Sequence, residues 1–199
     1  MRSIRLFALF SGNGSNLENL YKTLEGKEVE CKNKEMGRIE FIGALSNNAD
    51  AYGITRCHEM GLPVMVLSHK DYSSREEYDK ALLRAMFLYE PDFVLLCGFM
   101  RILTPLFLQV YTCINIHPSY LPAHKGANGI VDSFKDVEAS FGGVSVHYVN
   151  EELDGGEIIL QEKLSKSPFR DLSSYEEAIH QLEYKLYPQA IIKAIKEKI

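Results

Sequence analysis

The stretch Leu6-Phe7-Ala8-Leu9-Phe10-Ser11-Gly12-Asn13-Gly14-Ser15-Asn16 decides the fold of this 199-residue chain. Five consecutive apolar residues are typical of a buried strand, and the glycines that follow permit a tight turn. Apolar residues then recur at helical spacing, at Leu17, Leu20, Tyr21 and Leu24. The stretch therefore predicts a strand, a tight loop and a helix, which together begin a βαβ unit.

The rest of the chain alternates strand-like and helix-like segments. Further strands are predicted at residues 39–45, 63–67, 92–97, 113–117, 144–149 and 157–164, and helices at residues 49–60, 73–89, 130–134 and 173–198. The Lys- and Glu-rich segment 26–37 is interpreted as a solvated connection. Because only residues 150–156 join the last two strands, we expect these strands to be antiparallel neighbours. The pattern predicts an α/β fold with a mostly parallel, twisted sheet, helices on both faces and an antiparallel C-terminal portion.

The composition excludes several classes of partner. The chain has 22 Lys and Arg against 27 Asp and Glu, a net charge of −5, so it is not built to coat nucleic acid or an anionic membrane. The hydrophobic fraction of 46% is globular, and no apolar run approaches the roughly 20 residues of a membrane helix. We therefore expect a single cytoplasmic domain over residues 1–199, without an export signal and without a nucleic-acid or membrane partner.

The cysteines and histidines form no recognised disulfide or metal pattern. The four cysteines, at positions 31, 57, 97 and 113, include no Cys-x-x-Cys pair, which favours reduced thiols. The six histidines include no His-x-x-x-His or His-Glu-x-x-His motif, so no metal site is predicted. Cys97 and Cys113 lie inside apolar strands and are interpreted as core residues.

The loop Gly12-Asn13-Gly14-Ser15-Asn16 is the first candidate site. Glycines let the backbone approach a ligand closely, and the free N–H groups and dipole at a helix N-terminus attract an anion. The loop is not a dinucleotide fingerprint, because Leu17 stands where the third glycine belongs, and no Gly-Lys-Ser/Thr of a P-loop follows. These residues alone are equally compatible with a phosphate cradle and with a plain turn capped by Ser15 or Asn16.

The segment Asn115-Ile116-His117-Pro118 is the second candidate. Alternate side chains of a strand share a face, so Asn115 and His117 point the same way, and Pro118 ends the strand. Open α/β sheets bind ligands at the carboxyl ends of their strands. The amide is suited to donate to a developing oxyanion and the imidazole to shuttle a proton. A satisfied buried polar pair is the alternative interpretation.

The segment Glu151-Glu152-Leu153-Asp154-Gly155-Gly156 is the third candidate. The glycines free the backbone, and we expect them to expose Asp154 at a tight bend. A carboxylate that reached His117 would favour the imidazolium form of that ring. An acidic surface loop is the alternative, which applies more to Glu151 and Glu152 than to Asp154.

Together these motifs resemble the phosphoribosylglycinamide formyltransferase family of purine biosynthesis. The resemblance covers nearly the whole chain and rests on Ser11-Gly12-Asn13-Gly14-Ser15-Asn16-Leu17, Gly98-Phe99-Met100-Arg101-Ile102-Leu103, Asn115-Ile116-His117-Pro118-Ser119-Tyr120-Leu121-Pro122, Ser145-Val146-His147-Tyr148-Val149 and Glu152-Leu153-Asp154-Gly155-Gly156. It implies a Rossmann-like formyltransferase fold, with phosphate binding in the N-terminal half and folate binding and catalysis in the C-terminal half. The implied reaction transfers a formyl group from 10-formyltetrahydrofolate to the amine of N1-(5-phospho-D-ribosyl)glycinamide, in a monomer or homodimer that needs no metal.

The resemblance also implies roles for individual residues. The catalytic residues would be Asn115, His117 and Asp154. The nucleotide substrate would be bound by Gly14, Ser15, Asn16, His180, Gln181, Leu182 and Glu183, with Glu183 at the ribose hydroxyls. The folate would be bound by Arg75, Met100, Arg101, Ile102, Leu103, Asn115, Asn150, Glu151, Glu152, Leu153 and Asp154. The chain differs from the family pattern after Pro122, where Asn128-Gly129 replaces the more usual His, Ser or Thr, and at His180, where Gln is common.

Two other functions use similar residues. Formyltetrahydrofolate deformylase is a hydrolase with the same catalytic residues and water as acceptor, but the loop at Gly12 to Asn16 has no purpose in it. A nonenzymatic nucleotide- or folate-binding module on this fold is the other alternative. In a module, the occurrence of Asn115, His117 and Asp154 together would be a coincidence.

Overall fold

Residues 1–199 are all described by the structure, a computed structural model. Its strands and helices follow in the order β1 (Arg2–Phe10), α1 (Ser15–Leu24), β2 (Glu28–Glu30), β3 (Met36–Ser46), α2 (Gly53–Met60), β4 (Val64–Val66), α3 (Arg75–Met86), β5 (Phe93–Leu96), α4 (Pro105–Leu108), β6 (Cys113–His117), α5 (Gly129–Lys135), β7 (Phe141–Tyr148), β8 (Ile158–Ser165) and α6 (Leu172–Lys198). A single 3₁₀ turn, His69–Asp71, follows β4.

The eight strands form one sheet in the order β2-β3-β1-β5-β6-β7-β8, with β4 paired to β3. Strand β1 is parallel to β3 and β5, and β5 is parallel to β6. Strand β7 is antiparallel to both β6 and β8. The predicted α/β class and the antiparallel pairing of the last two strands are therefore confirmed.

Strand β1 is apolar on both faces because helices cover both sides of the sheet. One set of its side chains packs with α1, α2 and α6, and consists of Ile4, Leu6, Ala8 and Phe10. The alternate side chains, Phe7 and Leu9, pack with α3 and α4. A strand buried on both faces has a continuous apolar run, which is why residues 6–10 predict the fold so clearly. None of the helices has the length and apolar composition to cross a membrane.

The interpretation of segment 26–37 as a solvated connection is wrong. Residues 28–30 form β2, which pairs antiparallel with the start of β3. Val29 and Cys31 are buried there, while the alternate residues Glu28 and Glu30 are exposed. A three-residue edge strand offers a single inward side chain, so its alternating pattern is too short to be distinguished from a charged loop.

Helix α6 is fastened to the strands that carry the candidate site by a buried hydroxyl. Tyr187 is fully buried, and its hydroxyl lies 3.1 Å from the carbonyl oxygen of Leu96 and 2.9 Å from that of Ile114. These carbonyls belong to β5 and β6, the central parallel pair. Burial raises the pKa of the Tyr187 phenol, so the group stays a neutral donor.

Tyr187→Phe is expected to lower the free energy of unfolding by about 1 kcal/mol, because the two carbonyls lose their shared donor. Urea unfolding measures the loss, with an unchanged dependence on denaturant. Tyr52→Phe is the matched control, since Tyr52 is 53% exposed. An unchanged stability of Tyr187→Phe would show that the hydroxyl does not hold α6 to the sheet.

Candidate active site

A cleft of about 690 Å³ opens at the carboxyl ends of β1, β5 and β6. Parallel strands bring their carboxyl ends to one edge of the sheet, so loops distant in the sequence meet there. The lining comes from residues 11–16, 97–102, 115–118, 126–128 and 130–131, from Leu153 and Asp154, and from Glu176, His180 and Glu183 of α6. The volume is in the range of small-molecule sites.

The loop after β1 presents the N-terminus of α1 to this cleft. Gly14 has a left-handed backbone, with φ of 74°, and a Cβ there would lie 2.6 Å from Cα of Gly53. No side chain caps the helix, so the capping interpretation for Ser15 or Asn16 is wrong. The N–H groups of the first helical turn have no partner within the helix and are available to an anion. Asn16 adds a buried side-chain oxygen without a hydrogen-bond partner.

Hydrogen bonds join the loops after β1 and β5. The N–H of Ser11 donates to the carbonyl of Gly98 at 3.1 Å, and the N–H of Met100 donates to Oγ of Ser11 at 2.8 Å. On the outer side, the Arg56 guanidinium donates to the backbone oxygen and to Oδ1 of Asn13, both at 3.1 Å. The anion-facing loop is therefore held from two directions.

Strand β6 and the loop after β7 bring the three predicted catalytic residues together. Nδ1 of His117 lies 3.6 Å from Oδ2 of Asp154, and both side chains are buried. Nε2 of His117 lies 2.9 Å from the carbonyl oxygen of His124. A carbonyl oxygen only accepts, so Nε2 carries a proton and donates it. Asn115 also lines the cleft, because it lies two residues before His117 on β6 and its side chain is on the same face of the strand.

The expectation that Asp154 is exposed is wrong, since its side chain is 8% exposed. The loop folds back on β7 because Gly156 contacts the carbonyl of Tyr148 so closely that a Cβ would lie 1.7 Å from it. Asp154 accepts from the N–H of Gly126 at 2.8 Å. Burial raises the pKa of this carboxyl, but the approach of His147, the Gly126 N–H and His117 outweigh burial and leave the pKa below its usual value. The carboxylate is therefore charged at neutral pH.

His147 is a member of the cluster for which the sequence analysis assigned no role. It stands opposite Asn115 in the β6–β7 register, and its Nε2 lies 3.2 Å from Nδ2 of Asn115 and 3.6 Å from Oδ1 of Asp154. Its Nδ1 donates to the carbonyl of Tyr148 at 2.8 Å, and its Nε2 faces both the Asn115 amide and the Asp154 carboxylate. That His147 lies opposite Asn115 could be recognised only once the pairing of β6 with β7 was known.

Helix α6 supplies a charged pair to the opposite wall. Glu183 is 4% exposed, and its Oε2 lies 2.7 Å from Nδ1 of His180, while Glu176 approaches the same ring at 3.8 Å. The hydrogen bond to Glu183 raises the pKa of His180. Gln181 is exposed and Leu182 belongs to the core, so neither lines the cleft. The reason is the turn of about 100° per residue, which gives residues 180 and 183 one face and turns the two between them away.

A second pocket, of about 90 Å³, adjoins the cleft at Asn115 and Asp154. Most of the residues that the resemblance assigns to folate binding also line this pocket, namely Arg101, Ile102, Leu103, Asn150, Glu151, Glu152 and Leu153. Met100 lines the main cleft instead, and Arg75 lies at the exposed start of α3 and lines neither cavity. Later residues of α3, such as Tyr78 and Leu82, pack in the same apolar cluster as the pocket residues Phe99 and Leu103, whereas Arg75 in the first turn is exposed.

The segment 98–104 beside this pocket is anchored by a carboxylate with no sequence signal. Asp79 of α3 is 2% exposed and accepts from the N–H of Thr104 at 2.6 Å and from its hydroxyl at 2.7 Å. Burial raises the pKa of Asp79, against the effect of these hydrogen bonds. Nothing in the helical pattern of residues 75–86 distinguishes this inward Asp from a surface residue.

No three His, Cys, Asp or Glu side chains are grouped so as to hold a metal ion. All four cysteines are free and buried. Burial raises the pKa of Cys57 to about 11 and also raises the pKa values of Cys97 and Cys113. These thiols are therefore neutral core groups, as the apolar surroundings of Cys97 and Cys113 in the sequence predicted.

Comparison with known proteins gives consistent relatives. A family model described as "Formyl transferase" matches residues 4–191. The chain is 36% identical over 191 residues to the phosphoribosylglycinamide formyltransferase of Escherichia coli K12, covering 94% of this chain and 85% of that protein. It is 36% identical to the trifunctional purine biosynthetic protein adenosine-3 of Chironomus tentans, of which it spans 13%. The crystal structure of the Campylobacter jejuni phosphoribosylglycinamide formyltransferase has a TM-score of 0.90 and 40% identity, covering 96% of this chain and 97% of that one.

The His180–Glu183 pair makes the folding free energy depend on pH. The folded-state pKa of His180 is raised, so the stability that the pair contributes is full below the unfolded value of about 6.5 and is lost as pH rises through the folded pKa. His180→Gln is therefore expected to destabilise the protein more at about pH 6 than at about pH 9, measured by urea unfolding. His58→Gln, at an exposed position of α2, is the control. An equal loss at both pH values would contradict the pairing.

Proposed function

The chain belongs to the formyl transferase family, and we propose that it transfers a formyl group from 10-formyltetrahydrofolate to the amine of glycinamide ribonucleotide in purine (IMP) biosynthesis. One observation carries the proposal: a single cleft joins an anion-binding helix start at Gly14 to the cluster of Asn115, His117 and Asp154. The relatives whose names state this activity support it. We also propose that residues 1–199 form one domain, with the phosphate site in its N-terminal half and the folate and catalytic sites in its C-terminal half.

The nucleotide fits the end of the cleft between α1 and α6. The backbone N–H groups at Gly14, Ser15 and Asn16 would hold the phosphate, which needs no cationic side chain there. Glu183, across the cleft, is an acceptor suited to the ribose hydroxyls, and His180 lies beside it. Residues 181 and 182 point elsewhere, so we assign nucleotide contacts on α6 to His180 and Glu183 only.

The folate donor fits the other end. The pocket beside Asn115 and Asp154 is lined by two exposed apolar side chains, Ile102 at 48% and Leu153 at 49% exposure, and Met100 of the adjoining cleft is 68% exposed. A flat heteroaromatic ring system would cover such surface, while the polar backbone of residues 150–154 would meet its ring nitrogens. When bound, the donor supplies an activated formyl carbon for the substrate amine to attack, and negative charge develops on the formyl oxygen.

The residues of the cluster are arranged to stabilise that charge. Asp154 is ionised, and its Oδ2 lies 3.6 Å from Nδ1 of His117, where it would attract a proton on that nitrogen. The Nε2–H of His117 is held by the carbonyl of His124, so a proton on Nδ1, which has no hydrogen bond within the chain, would be the one available to the oxyanion. The side-chain amide of Asn115 has two protons, and the one that does not face His147 is available to the same oxyanion. Each such donor is worth roughly 2.7–4 kcal/mol in comparable sites.

Asp154 would then relay the amine proton through water toward the departing folate nitrogen. No covalent nucleophile takes part in this scheme, and we propose no role for a metal. The chain's net charge of −5 and its composition support the further proposals of a cytoplasmic location and of no nucleic-acid or membrane partner. A monomer or a homodimer is compatible with this chemistry.

Formyl transfer is expected only when both substrates are present. Purified protein should convert glycinamide ribonucleotide when 10-formyltetrahydrofolate is supplied, followed by the absorbance of the folate product and by mass spectrometry of the formylated nucleotide. Formate release that proceeds equally fast without the nucleotide would support the deformylase instead. Complete absence of turnover would favour a binding module.

His117→Ala and Asp154→Asn are each expected to lower kcat by at least about 100-fold, because the first removes the imidazole beside the reacting atoms and the second removes the carboxylate charge next to it. Steady-state kinetics measure the loss, and circular dichroism verifies that the variants fold. Glu138→Gln, at an exposed position outside the cleft, is the control. A near wild-type rate in either variant would refute the assigned mechanism.

A further inference from the structure

The segment between Pro122 and α5 contains a second histidine with an unusual conformation. His124 has a left-handed backbone, with φ of 53°, which is uncommon for a residue with a side chain. In this conformation its carbonyl accepts the hydrogen bond from Nε2 of His117 at 2.9 Å. A backbone in this sparsely populated region persists only when neighbouring groups hold it there.

The side chain of His124 provides such a hold. Its Nε2 lies 2.9 Å from Oδ2 of Asp136, the residue that follows α5. The other oxygen of Asp136 accepts from the N–H groups of Glu138 at 3.1 Å and Ala139 at 3.3 Å. Lys166 of the loop after β8 donates to the backbone carbonyls of Ser133, at 2.7 Å, and of Asp136. Asp136 is thus fixed by three independent contacts before it receives the imidazole.

The same short segment also contacts the second member of the cluster. The N–H of Gly126 donates to Oδ2 of Asp154 at 2.8 Å, two residues after the carbonyl that holds His117. Lys125, between them, pairs with Glu152 of the Asp154 loop at 2.6 Å. Gly129, at the start of α5, lies so close to the ring of His117 that a Cβ would be 3.1 Å from its Nε2. Any movement of this segment therefore displaces both His117 and Asp154.

We propose that the His124–Asp136 pair positions His117: it holds the His124 carbonyl on Nε2 of His117 and so keeps Nδ1 directed toward Asp154 and the substrate. This inference rests on the proposed function for its catalytic consequence, but not for its geometry. His124 is a positioning residue, since its side chain touches neither cavity. Without the pair, the ring of His117 can rotate or shift, and Nδ1 is no longer held in one orientation.

The test uses His124→Asn and Asp136→Ser in the full chain. Asn tolerates the left-handed backbone, and Ser retains an acceptor for the turn after α5, so each variant removes the pair with little other change. Both are expected to lower kcat about tenfold, with the KM for each substrate within about twofold of wild type. Because the two residues act as a unit, the double variant should lose no more than either single variant. Val137→Ala, at a 91% exposed neighbour of Asp136, should leave the rate unchanged.

A second readout does not depend on turnover. In ¹⁵N-labelled protein the Nε2–H of His117 should give a signal that is protected from water, because the ring is buried and hydrogen-bonded. Its exchange rate should rise by roughly tenfold in both variants and stay unchanged in Val137→Ala. An unchanged exchange rate would overturn the proposal whether or not the protein transfers formyl groups.

Unchanged kcat, a loss that appears in KM instead, or additive losses in the double variant would overturn it as well. Absence of transfer by the wild-type protein would refute the proposed function, and the exchange rates would then decide the positioning proposal alone.

Discussion

The burial of the Asp154 carboxylate is the constraint on which the site depends. A charged group with 8% of its side chain exposed must be compensated by hydrogen bonds and opposite charge, because desolvation alone is costly. The Gly126 N–H supplies the hydrogen bond, and two imidazoles lie 3.6 Å from its oxygens, one on β6 and one on β7. Satisfying this one group therefore requires the β6–β7 pairing, the fold-back at Gly156 and the loop before α5 to be correct together.

The two ends of the cleft use different electrostatic means. At α1 the attraction for an anion comes from backbone N–H groups and the helix dipole, without a formal charge. Near Asp154 the charges are side-chain charges held at low exposure, where their mutual effects are strong. A net charge of −5 argues against a polyanionic partner, whose binding relies on many Lys and Arg contacts. It does not argue against a single phosphate bound by a helix terminus.

The sequence predicted most of the elements around the cleft, and the reasons differ from one element to the next. Residues 6–10 were unmistakable because a strand covered on both faces is apolar throughout, whereas β2 was missed because three residues cannot show a period. On α6, the family pattern named residues 180–183 as a group, but helical geometry admits only the first and last of them to the cleft. Arg75 was assigned to the folate from the same pattern, and it lies at neither cavity.

The sequence by itself determined the α/β class, the order of the longer strands and helices, and which polar residues were worth attention, since these depend on local periodicity and on turn chemistry. Only the tertiary structure decided that Asp154 is buried rather than exposed, that His147 supports Asn115, and that Asp79 and His124 hold segments of the site. The physical reason is that each of these depends on strand register and on contacts between residues far apart in the chain. A side chain's neighbours across a sheet or loop leave no trace in its own local sequence.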